Sequence, residues 1–367
     1  MKSPKIRFKE FNSEWNSTTL GELGEIVAGG DIDKNKILSK GIYPVYANAL
    51  TNDGIVGYYN DYFRISAPAV TITGCGEVGY AQARFKNFTP VVRLLSLKTD
   101  SNVSFIACSI NRKKIAVEST GVPQLTKPTL SNIKIQIPTD LKEQEAIGEF
   151  FRKIDEILDL EKLRFKKFEN FKKTMLDKLF VASGENKPRL RLGSFTSNWT
   201  SVTLGEVCEI IKGRQINKID LLLSGKYYVL NGGVTPSGYT NSFNTNENII
   251  SISEGGNSCG FVNFNKEKFW SGGHNYTLQN LVINTRFLYA LLKYREKNIM
   301  SLRVGSGLPN IQKSRLLEFK FQIPTDPKEQ EAIGEFFRKI DEILELSQKR
   351  ISKLENIKKY LLNKMFV

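Results

Sequence analysis

The sequence predicts an α+β protein with an internal repeat: two globular domains of mixed helix and strand, separated by two long helices that pack as an antiparallel coiled coil with pseudo-two-fold symmetry. Three observations lead to this prediction. One helical segment occurs twice, its apolar residues recur in steps of four and three, and short β-rich runs broken by Gly and Asn precede each copy. A repeat is examined first because missing it misassigns the whole fold.

The repeated segment begins at Ile137 and again at Ile323. Both copies start Ile-Pro-Thr-Asp and end Ile-Asp-Glu-Ile-Leu, and over these twenty-two positions only Leu141 and Pro327 differ. The similarity then weakens but continues to Val181 in the first copy and to the last residue in the second. The two copies are therefore expected to form equivalent helices.

Each helix has a sequence signal for its start. Asp140 and Asp326 lie at N-cap positions, and Glu143 and Glu329 follow three residues later, where a carboxylate can reach back to the N–H of the cap residue. Pro327 falls on the first helical position, where the missing N–H costs nothing. A capping box is therefore expected at both helix starts.

The apolar residues of each helix form one stripe, which is typical of a coiled-coil seam. Each helix is about 60 Å long at 1.5 Å per residue, and the other copy is the expected partner of each seam. Glu161 and Ser347 interrupt the pattern once in each copy. The residues assigned to the seam or to contact with a partner subunit are Glu143, Gln144, Ile147, Phe151, Ile154, Leu158, Glu329, Gln330, Ile333, Phe337, Ile340 and Leu344.

The net charge of +15 lies mostly in the globular regions. Residues 1–141 carry +5 and residues 182–327 carry +7, whereas the helical stretches 142–181 and 328–367 carry +1 and +2. A polyanionic partner, with nucleic acid as the leading candidate, explains this distribution, and a generally basic surface is the alternative.

Several classes of protein lack support in the sequence. It contains no phosphate-binding loop, no Asn/Asp-Pro-Pro-aromatic run of an amino-methyltransferase and only one histidine, His274, so neither a catalytic set nor a metal site is predicted. The four cysteines lie far apart, and no stretch reads as a membrane span or signal peptide. A non-catalytic cytoplasmic protein with reduced thiols is expected.

The predicted division of the chain follows the repeat. Residues 1–137 form the first globular domain, 138–181 the central helical region, 182–194 a linker, 195–323 the second globular domain and 324–367 the last helical region. The domains match at their edges, where the segments Trp15–Glu22 and Gly121–Lys127 correspond to Trp199–Glu206 and Gly307–Lys313. A strand is predicted over Val91–Leu97, and helices over Phe105–Val117 and Phe287–Lys297.

The middles of the two domains differ, and a shared frame with different loops suits a protein that reads two different sequences. Base edges are read by Asn, Gln, Arg and Ser/Thr, while backbone N–H groups and Lys contact phosphates. Ordinary turns are the alternative for the glycine-rich loops, and His274 is expected to be a loop hydrogen-bonding residue. The candidate DNA-binding residues are Tyr46, Asn48, Thr73, Gly74, Gly76, Lys127, Lys212, Arg214, Asn231, Gly255, Gly256, Asn257, Ser258, Gly273, His274 and Lys313.

The doubled Ile-Pro-x-x-x-x-Glu-Gln-x-x-Ile-Gly, followed by Phe-x-x-Ile-Asp-x-Ile, closely resembles the helical regions of specificity subunits of type I restriction–modification systems. The resemblance covers essentially the whole chain and implies two target-recognition domains, each reading half of a bipartite, asymmetric double-stranded DNA site. It also implies that two modification subunits dock on the helices and carry S-adenosylmethionine and adenine methylation. Restriction subunits would add ATP and Mg²⁺, and this chain would hold no cofactor.

Two other readings remain open beside the resemblance. The chain could be a stand-alone DNA-binding or scaffolding protein whose coiled coil docks nothing, although the near identity of the copies on all helix faces would then be unexplained. An intrinsic nuclease or methyltransferase is disfavoured by the missing motifs. If the helices pack antiparallel, the length of the central helix is expected to set the spacing between the two reading domains.

Overall fold

The computed structural model describes residues 3–113, 115, 124–182, 184–305, 307 and 309–367. The chain forms two compact units, one made of Met1–Leu163 with Lys349–Val367 and the other of Arg164–Gln348. Each unit therefore contains one globular domain and part of both long helices. The division predicted from the sequence keeps each long helix whole, whereas the two compact units divide each helix between them.

The elements of the first domain end in the long central helix. In chain order they are β1 (Trp15–Thr19), α1 (Leu20–Leu23), β2 (Gly24–Ala28), β3 (Tyr43–Tyr46), β4 (Ile55–Tyr59), β5 (Ala69–Thr73), β6 (Ala81–Arg84), β7 (Thr89–Pro90), β8 (Leu94–Thr99), α2 (Val103–Asn111), α3 (Lys127–Ser131), β9 (Lys134–Pro138) and α4 (Leu141–Leu179).

Among the described residues, the elements of the second domain repeat that order, and a further short helix follows the counterpart of α2. They are β10 (Trp199–Thr203), α5 (Leu204–Val207), β11 (Glu209–Lys212), β12 (Tyr227–Leu230), β13 (Gly238–Thr240), β14 (Ile249–Ser253), β15 (Val262–Asn265), β16 (Trp270–Ser271), β17 (Asn275–Gln279), α6 (Thr285–Tyr294), α7 (Glu296–Met300), α8 (Lys313–Leu317), β18 (Lys320–Pro324) and α9 (Pro327–Met365).

Both domains have the same sheet topology. In the first, β1 pairs with β9, an antiparallel sheet has the order β2-β8-β5-β6, and a small mixed sheet has the order β4-β3-β7. In the second, the corresponding orders are β10-β18, β11-β17-β14-β15 and β13-β12-β16. Trp15 faces Pro138, and Trp199 faces Pro324, so in each domain the first strand lies beside the last strand before a long helix.

The core of the first unit includes residues from both long helices. Trp15 and Phe105 of the domain pack with Phe151 of α4 and with Phe366, just beyond the end of α9. The ring centroid of Phe366 lies 5.1 Å from that of Phe105 and 5.8 Å from that of Phe151. Within this unit the beginning of α4 therefore lies against the end of α9, which is an antiparallel arrangement.

The second unit repeats this core with the helices exchanged. Phe337, near the beginning of α9, packs with Phe180, just beyond the end of α4, at a centroid distance of 5.7 Å. Trp199 and Phe287 of the domain join them. The antiparallel helix pairing and the repeat predicted from the sequence are confirmed in each unit.

The predicted seam is buried as expected, although it packs on the domain cores as well as on the other helix. Ile147, Phe151, Leu158, Ile333, Phe337 and Ile340 are buried, and Ile154 and Leu344 are partly buried. Of the two interruptions, Ser347 is buried at 4% exposed, and Glu161 is partly buried and forms an ion pair with Arg350 at 3.3 Å.

Truncating a seam phenylalanine is expected to destabilise its unit strongly. Phe151 is 0% exposed, so Phe151→Ala removes a buried ring and should cost about 3–5 kcal/mol of unfolding free energy, and Phe337→Ala should behave alike in the other unit. Leu160→Ala is the control, because Leu160 is 65% exposed on the same helix and its loss should change stability by less than about 0.5 kcal/mol. Denaturant titration of each variant measures this, and wild-type stability of Phe151→Ala would mean that the seam is misassigned.

The helix starts confirm one part of the capping prediction and correct another. Asp140 and Asp326 accept from the N–H groups of Lys142 and Lys328 at 2.9 Å, as N-cap side chains do. The capping box is wrong, because Glu143 bonds instead to Arg7, a charged partner that forms stronger hydrogen bonds than a backbone N–H.

Other boundaries shift for physical reasons. The strand expected over Val91–Leu97 is found at Leu94–Thr99, because Arg93 has a φ of 72° and interrupts extended backbone. The helix expected over Phe105–Val117 is Val103–Asn111, and Lys114 and the last two residues of that prediction, like Gly121–Pro123, lie outside the described residues. The helix expected over Phe287–Lys297 is two helices, α6 and α7, that meet at Arg295.

The predicted linker is docked on the second unit. Its Arg191 forms an ion pair with Glu329, the N–H of Leu190 donates to the carbonyl of Lys178 at 2.9 Å, and Leu192 packs on the core. In the part of the chain that the structure describes, none of the helices is long and apolar enough to cross a bilayer.

Candidate nucleic-acid interface

The candidate residues of the second domain gather at one edge of its four-stranded sheet. The antiparallel register pairs Lys212 at the end of β11 with Tyr276, and Ser253 at the end of β14 with Asn275 at the start of β17. The loops that follow β11 and β14 and the loop that precedes β17 therefore meet at this edge. Arg214, exposed beyond Lys212, lies in the first of these loops.

The loop after β12 is bonded into the same edge. The Oδ1 atom of Asn231 accepts from the N–H of His274 at 3.1 Å, and the N–H of Gly272 donates to the carbonyl of Leu230 at 2.7 Å. The hydroxyl of Ser253 donates to the carbonyl of Gly232 at 2.5 Å. These bonds fix Gly273 and His274 relative to Asn231.

The glycine-rich loop after β14 is hydrogen-bonded to the segment before α8, and its tip is exposed. The N–H of Ile311 donates to the carbonyl of Glu254 at 2.8 Å, and the N–H of Gly256 donates to the carbonyl of Pro309 at 3.0 Å. Gly256 has a φ of 75°, and a Cβ there would meet no atom within 4 Å. Asn257 is exposed, so the tip of this loop presents polar groups to the surroundings.

Four side chains at this edge form what we call the Glu254 cluster: Lys212, Glu254, His274 and Tyr276. The Oε1 atom of Glu254 accepts from Lys212 Nζ at 2.6 Å and from Tyr276 Oη at 3.0 Å. His274 Nδ1 lies 3.7 Å from the Oε2 atom of Glu254. Burial, and then the hydrogen bond to Glu254, raise the pKa of Tyr276, so this hydroxyl stays protonated as a donor.

The remaining candidates of this domain surround the cluster. Gly255 and Ser258 are half-buried in the loop after β14, and Lys313 is exposed at the start of α8, two residues after Ile311. The second domain thus brings all of its predicted residues to a single edge, with cations and loop amides on the surface.

The first domain builds the corresponding edge with different residues. Asn48 links two loops there: its Oδ1 atom accepts from the N–H of Gly74 at 2.8 Å, and its Nδ2 atom donates to the carbonyl of Val92 at 3.1 Å. The N–H of Leu125 donates to the carbonyl of Gly74 at 2.8 Å, just as Ile311 does to Glu254 in the second domain. Gly76 has a φ of 70°, and a Cβ there would meet no atom within 4 Å. Lys127 is exposed at the start of α3, two residues after Leu125.

Three predicted DNA-binding residues of the first domain are corrected to supporting roles. Tyr46 is 6% exposed beneath the guanidinium of Arg84, 3.7 Å from its ring centroid, and burial raises its pKa. Thr73 is 5% exposed, and its hydroxyl accepts from the N–H of Tyr80 at 2.9 Å. Gly74 is buried with its N–H already donated to Asn48, so that N–H is not free for a phosphate.

Two residues of this interface were missed by the sequence analysis. Arg93 is exposed and stands immediately before β8, where His274 stands immediately before β17. Glu254 organises the cluster on the second domain. Alignment of the residues before β8 with those before β17 would have identified Arg93, whereas Glu254 gave no signal beyond its place next to the candidate Gly255.

The repeated Glu-Gln pair is buried within its own unit, so its assignment as a contact with a partner subunit is wrong. Glu143 and Glu329 are 0% exposed. Arg7 donates to the two carboxylate oxygens of Glu143 at 2.6 and 2.7 Å, and Arg191 does the same to Glu329 at 2.8 and 2.6 Å.

The glutamines are equally buried in their own units. Gln144 Nε2 donates to the carbonyl of Pro138 at 3.1 Å, and Gln330 Nε2 to that of Pro324 at 3.0 Å. Folding within each unit therefore explains why this pair occurs twice.

Comparison with known proteins finds one family. A model of the type I restriction modification DNA specificity domain matches residues 12–169 and 196–356. A putative type I specificity subunit of Mycoplasma pneumoniae is 39% identical over 150 residues, which are 40% of this chain and 40% of that protein. The MjaVIII specificity subunit of Methanocaldococcus jannaschii is 25% identical over 278 residues, which are 68% of this chain and 65% of that protein. The matches thus span about two fifths to two thirds of the length of these relatives.

Two solved structures share the fold. The S subunit of a type I restriction–modification system from M. genitalium has a TM-score of 0.81 at 21% identity, over 100% of this chain and 99% of that one. A chain from a structural study of complex assembly and conformational transition in a type I system has a TM-score of 0.52 at 15% identity, over 97% and 99%. Because the domain model matches most of the sequence in two copies, the protein belongs to the family of type I restriction modification DNA specificity domains.

Proposed function

We propose that the chain recognises a bipartite, asymmetric DNA sequence and directs partner subunits to it. The first domain reads one half of the site and the second domain the other. The chain acts as the specificity subunit for adenine methylation and restriction, which partner subunits carry out. The names of its relatives support the role, and the charge of +15, concentrated in the globular regions, suits a DNA partner.

One observation carries this proposal: the two domains share a sheet topology, but the side chains at the loop-bearing edge of the four-stranded sheet differ. Equivalent hydrogen bonds hold Gly74 through Leu125 and Glu254 through Ile311, yet one position is glycine and the other a carboxylate. Arg93 and His274 likewise occupy equivalent places before paired strands. Because sequence is read through side-chain contacts with base edges, such differences specify two unlike half-sites.

The partners follow from the helices. We propose that two modification subunits dock on them, one for each copy of the repeat, and that restriction subunits join the assembly. Leu160 and Leu346 occupy equivalent positions on the two helices and are 65% and 61% exposed, which suits contact with another protein. S-adenosylmethionine, ATP and Mg²⁺ belong to those subunits in this proposal, and this chain supplies recognition alone.

The chain alone is expected to leave DNA unmethylated and uncleaved. Co-expression with its modification subunit, in a strain without methylation of this kind, should produce adenine methylation at a single two-part, non-palindromic motif. Sequencing that detects methylated adenines measures this, with the modification subunit alone as the control.

Each other outcome has a distinct meaning. Methylation by the purified chain alone would make it an enzyme. Sequence-specific DNA binding without any complex with the modification subunit would favour the stand-alone DNA-binding or scaffolding protein.

A further inference from the structure

We propose that Glu254 is a positioning residue that determines specificity for the second half of the DNA site, by withholding Lys212 from non-specific phosphate contacts and orienting it together with His274. This inference rests on the proposed function and adds a residue that neither the sequence motifs nor the family match assigns. Glu254 acts through Lys212 and His274 and does not itself contact the DNA.

The geometry places Glu254 beneath the exposed groups of the cluster. Its side chain is 13% exposed, whereas those of Lys212 and His274 are 53% and 62% exposed. Its backbone N–H donates to the carbonyl of His274 at 3.0 Å, and its own carbonyl accepts from Ile311. Glu254 therefore joins the loops after β11 and β14, the loop before β17 and the segment before α8.

One carboxylate oxygen remains available to direct a second group. Oε1 is occupied by Lys212 and by Tyr276, while Oε2 is buried without a hydrogen-bond partner. His274 Nδ1, at 3.7 Å, faces this oxygen and forms an ion pair with it when the imidazole is protonated. The carboxylate thus sets the direction of both exposed nitrogen-bearing side chains.

The charge of Glu254 opposes indiscriminate binding to DNA. An ammonium group that is paired with a carboxylate releases fewer counterions from DNA than a free one, and the carboxylate repels phosphates. Lys212 therefore contributes little to non-specific affinity while it is held at 2.6 Å from Glu254. Binding energy at this edge then comes from correctly placed groups, and correct placement is what discriminates between sequences.

The first domain cannot use this device. Its equivalent residue is Gly74, where a Cβ would lie 2.2 Å from the carbonyl oxygen of Arg93. Recognition of the first half-site should consequently be indifferent to changes at Glu254, which gives each DNA-binding experiment an internal control.

Replacing Glu254 by Gln tests the proposal, because the amide keeps the shape and removes the charge. The full chain with its modification subunit is titrated with a duplex carrying the mapped site and with a duplex in which the second half-site is scrambled, at several salt concentrations. Glu254→Gln should bind the scrambled duplex more tightly. The slope of log affinity against log salt concentration should be steeper by about one, the value for one additional phosphate contact. The ratio of specific to scrambled affinity should fall roughly tenfold, and methylated sites should become degenerate in the second half alone.

Three further variants complete the test. Glu209→Gln removes one charge at the other end of β11, where Glu209 is exposed, and should behave as wild type. Lys212→Gln should leave the salt slope on the scrambled duplex unchanged but reduce discrimination. The double variant Glu254→Gln, Lys212→Gln should return scrambled binding to the wild-type level, because the released ammonium is gone.

Several results would overturn the inference. Glu254→Gln could match Glu209→Gln, or it could weaken specific and scrambled binding equally, as a purely structural role would. A Lys212→Gln variant with a salt slope shallower by about one would show that Lys212 already contacts phosphates freely. Failure of the wild-type assembly to prefer any sequence would instead refute the proposed function itself.

Discussion

Exchange of residues 195–323 for the equivalent domain of another family member should replace one half of the methylated motif and leave the other half unchanged. Each unit has its own core, and each domain carries its own loops at the edge of its four-stranded sheet, so the exchange leaves the candidate interface of the first domain unchanged. Each mismatched base pair costs about 1–3 kcal/mol of binding, so several new base preferences should abolish methylation at the original site.

The structure also fixes where the exchange must end. The loop after β14 is bonded to Pro309 and Ile311, so an exchange of residues 195–300 would separate bonded partners, whereas 195–323 keeps them together. Strands β10 and β18 pair along their whole length. Both lie within residues 195–323 except for the final Pro324, so the exchange replaces the two paired strands together.

Mapping methylated adenines in the hybrid measures the outcome, with exchange of the first domain as the reciprocal control. New bases in both halves would refute the independence of the two domains.

Replacing Arg7 by Ala should destabilise the first unit by about 3–5 kcal/mol, because it leaves a buried carboxylate without its partner. Glu143 is 0% exposed, and both of its oxygens bond to Arg7. The remaining contact, from Trp15 Nε1 at 3.4 Å, is too long to replace a bidentate guanidinium. For a unit of this size the melting transition should fall by roughly 10 °C.

The repeat supplies controls for this measurement. Arg191→Ala should lower the transition of the second unit in the same way, since Arg191 holds Glu329. Arg152→Ala should change little, because its side chain is 34% exposed and those of its partners Glu149 and Glu156 are 42% and 56% exposed, so solvent screens both ion pairs.

A double variant distinguishes a missing partner from a missing contact. Arg7→Met combined with Glu143→Leu should recover much of the loss, since an apolar pair leaves no charge buried. Equal stability of Arg7→Ala and wild type in calorimetry would show that the ion pair contributes nothing.

Local patterns in the sequence determined the helices and the repeat. The helix starts at Leu141 and Pro327 follow from the aspartate caps and from a proline at the first position. The seam follows from apolar spacing, because a helix brings residues three and four apart onto one face whatever surrounds it. The resemblance to the family rests on the same repeated segment, and the family model matches residues 12–169 and 196–356 around it.

Tertiary structure decided which polar groups meet and which remain exposed. Glu143 was assigned to a cap and to a partner surface, but its partner is Arg7, 136 residues away. Tyr46 and Thr73 have the side chains of DNA readers yet are buried, and Arg93 and Glu254 carried no motif. Periodicity shows that a face is buried, whereas the identity of its polar partner depends on sheet register, which brings the ends of distant strands to one edge.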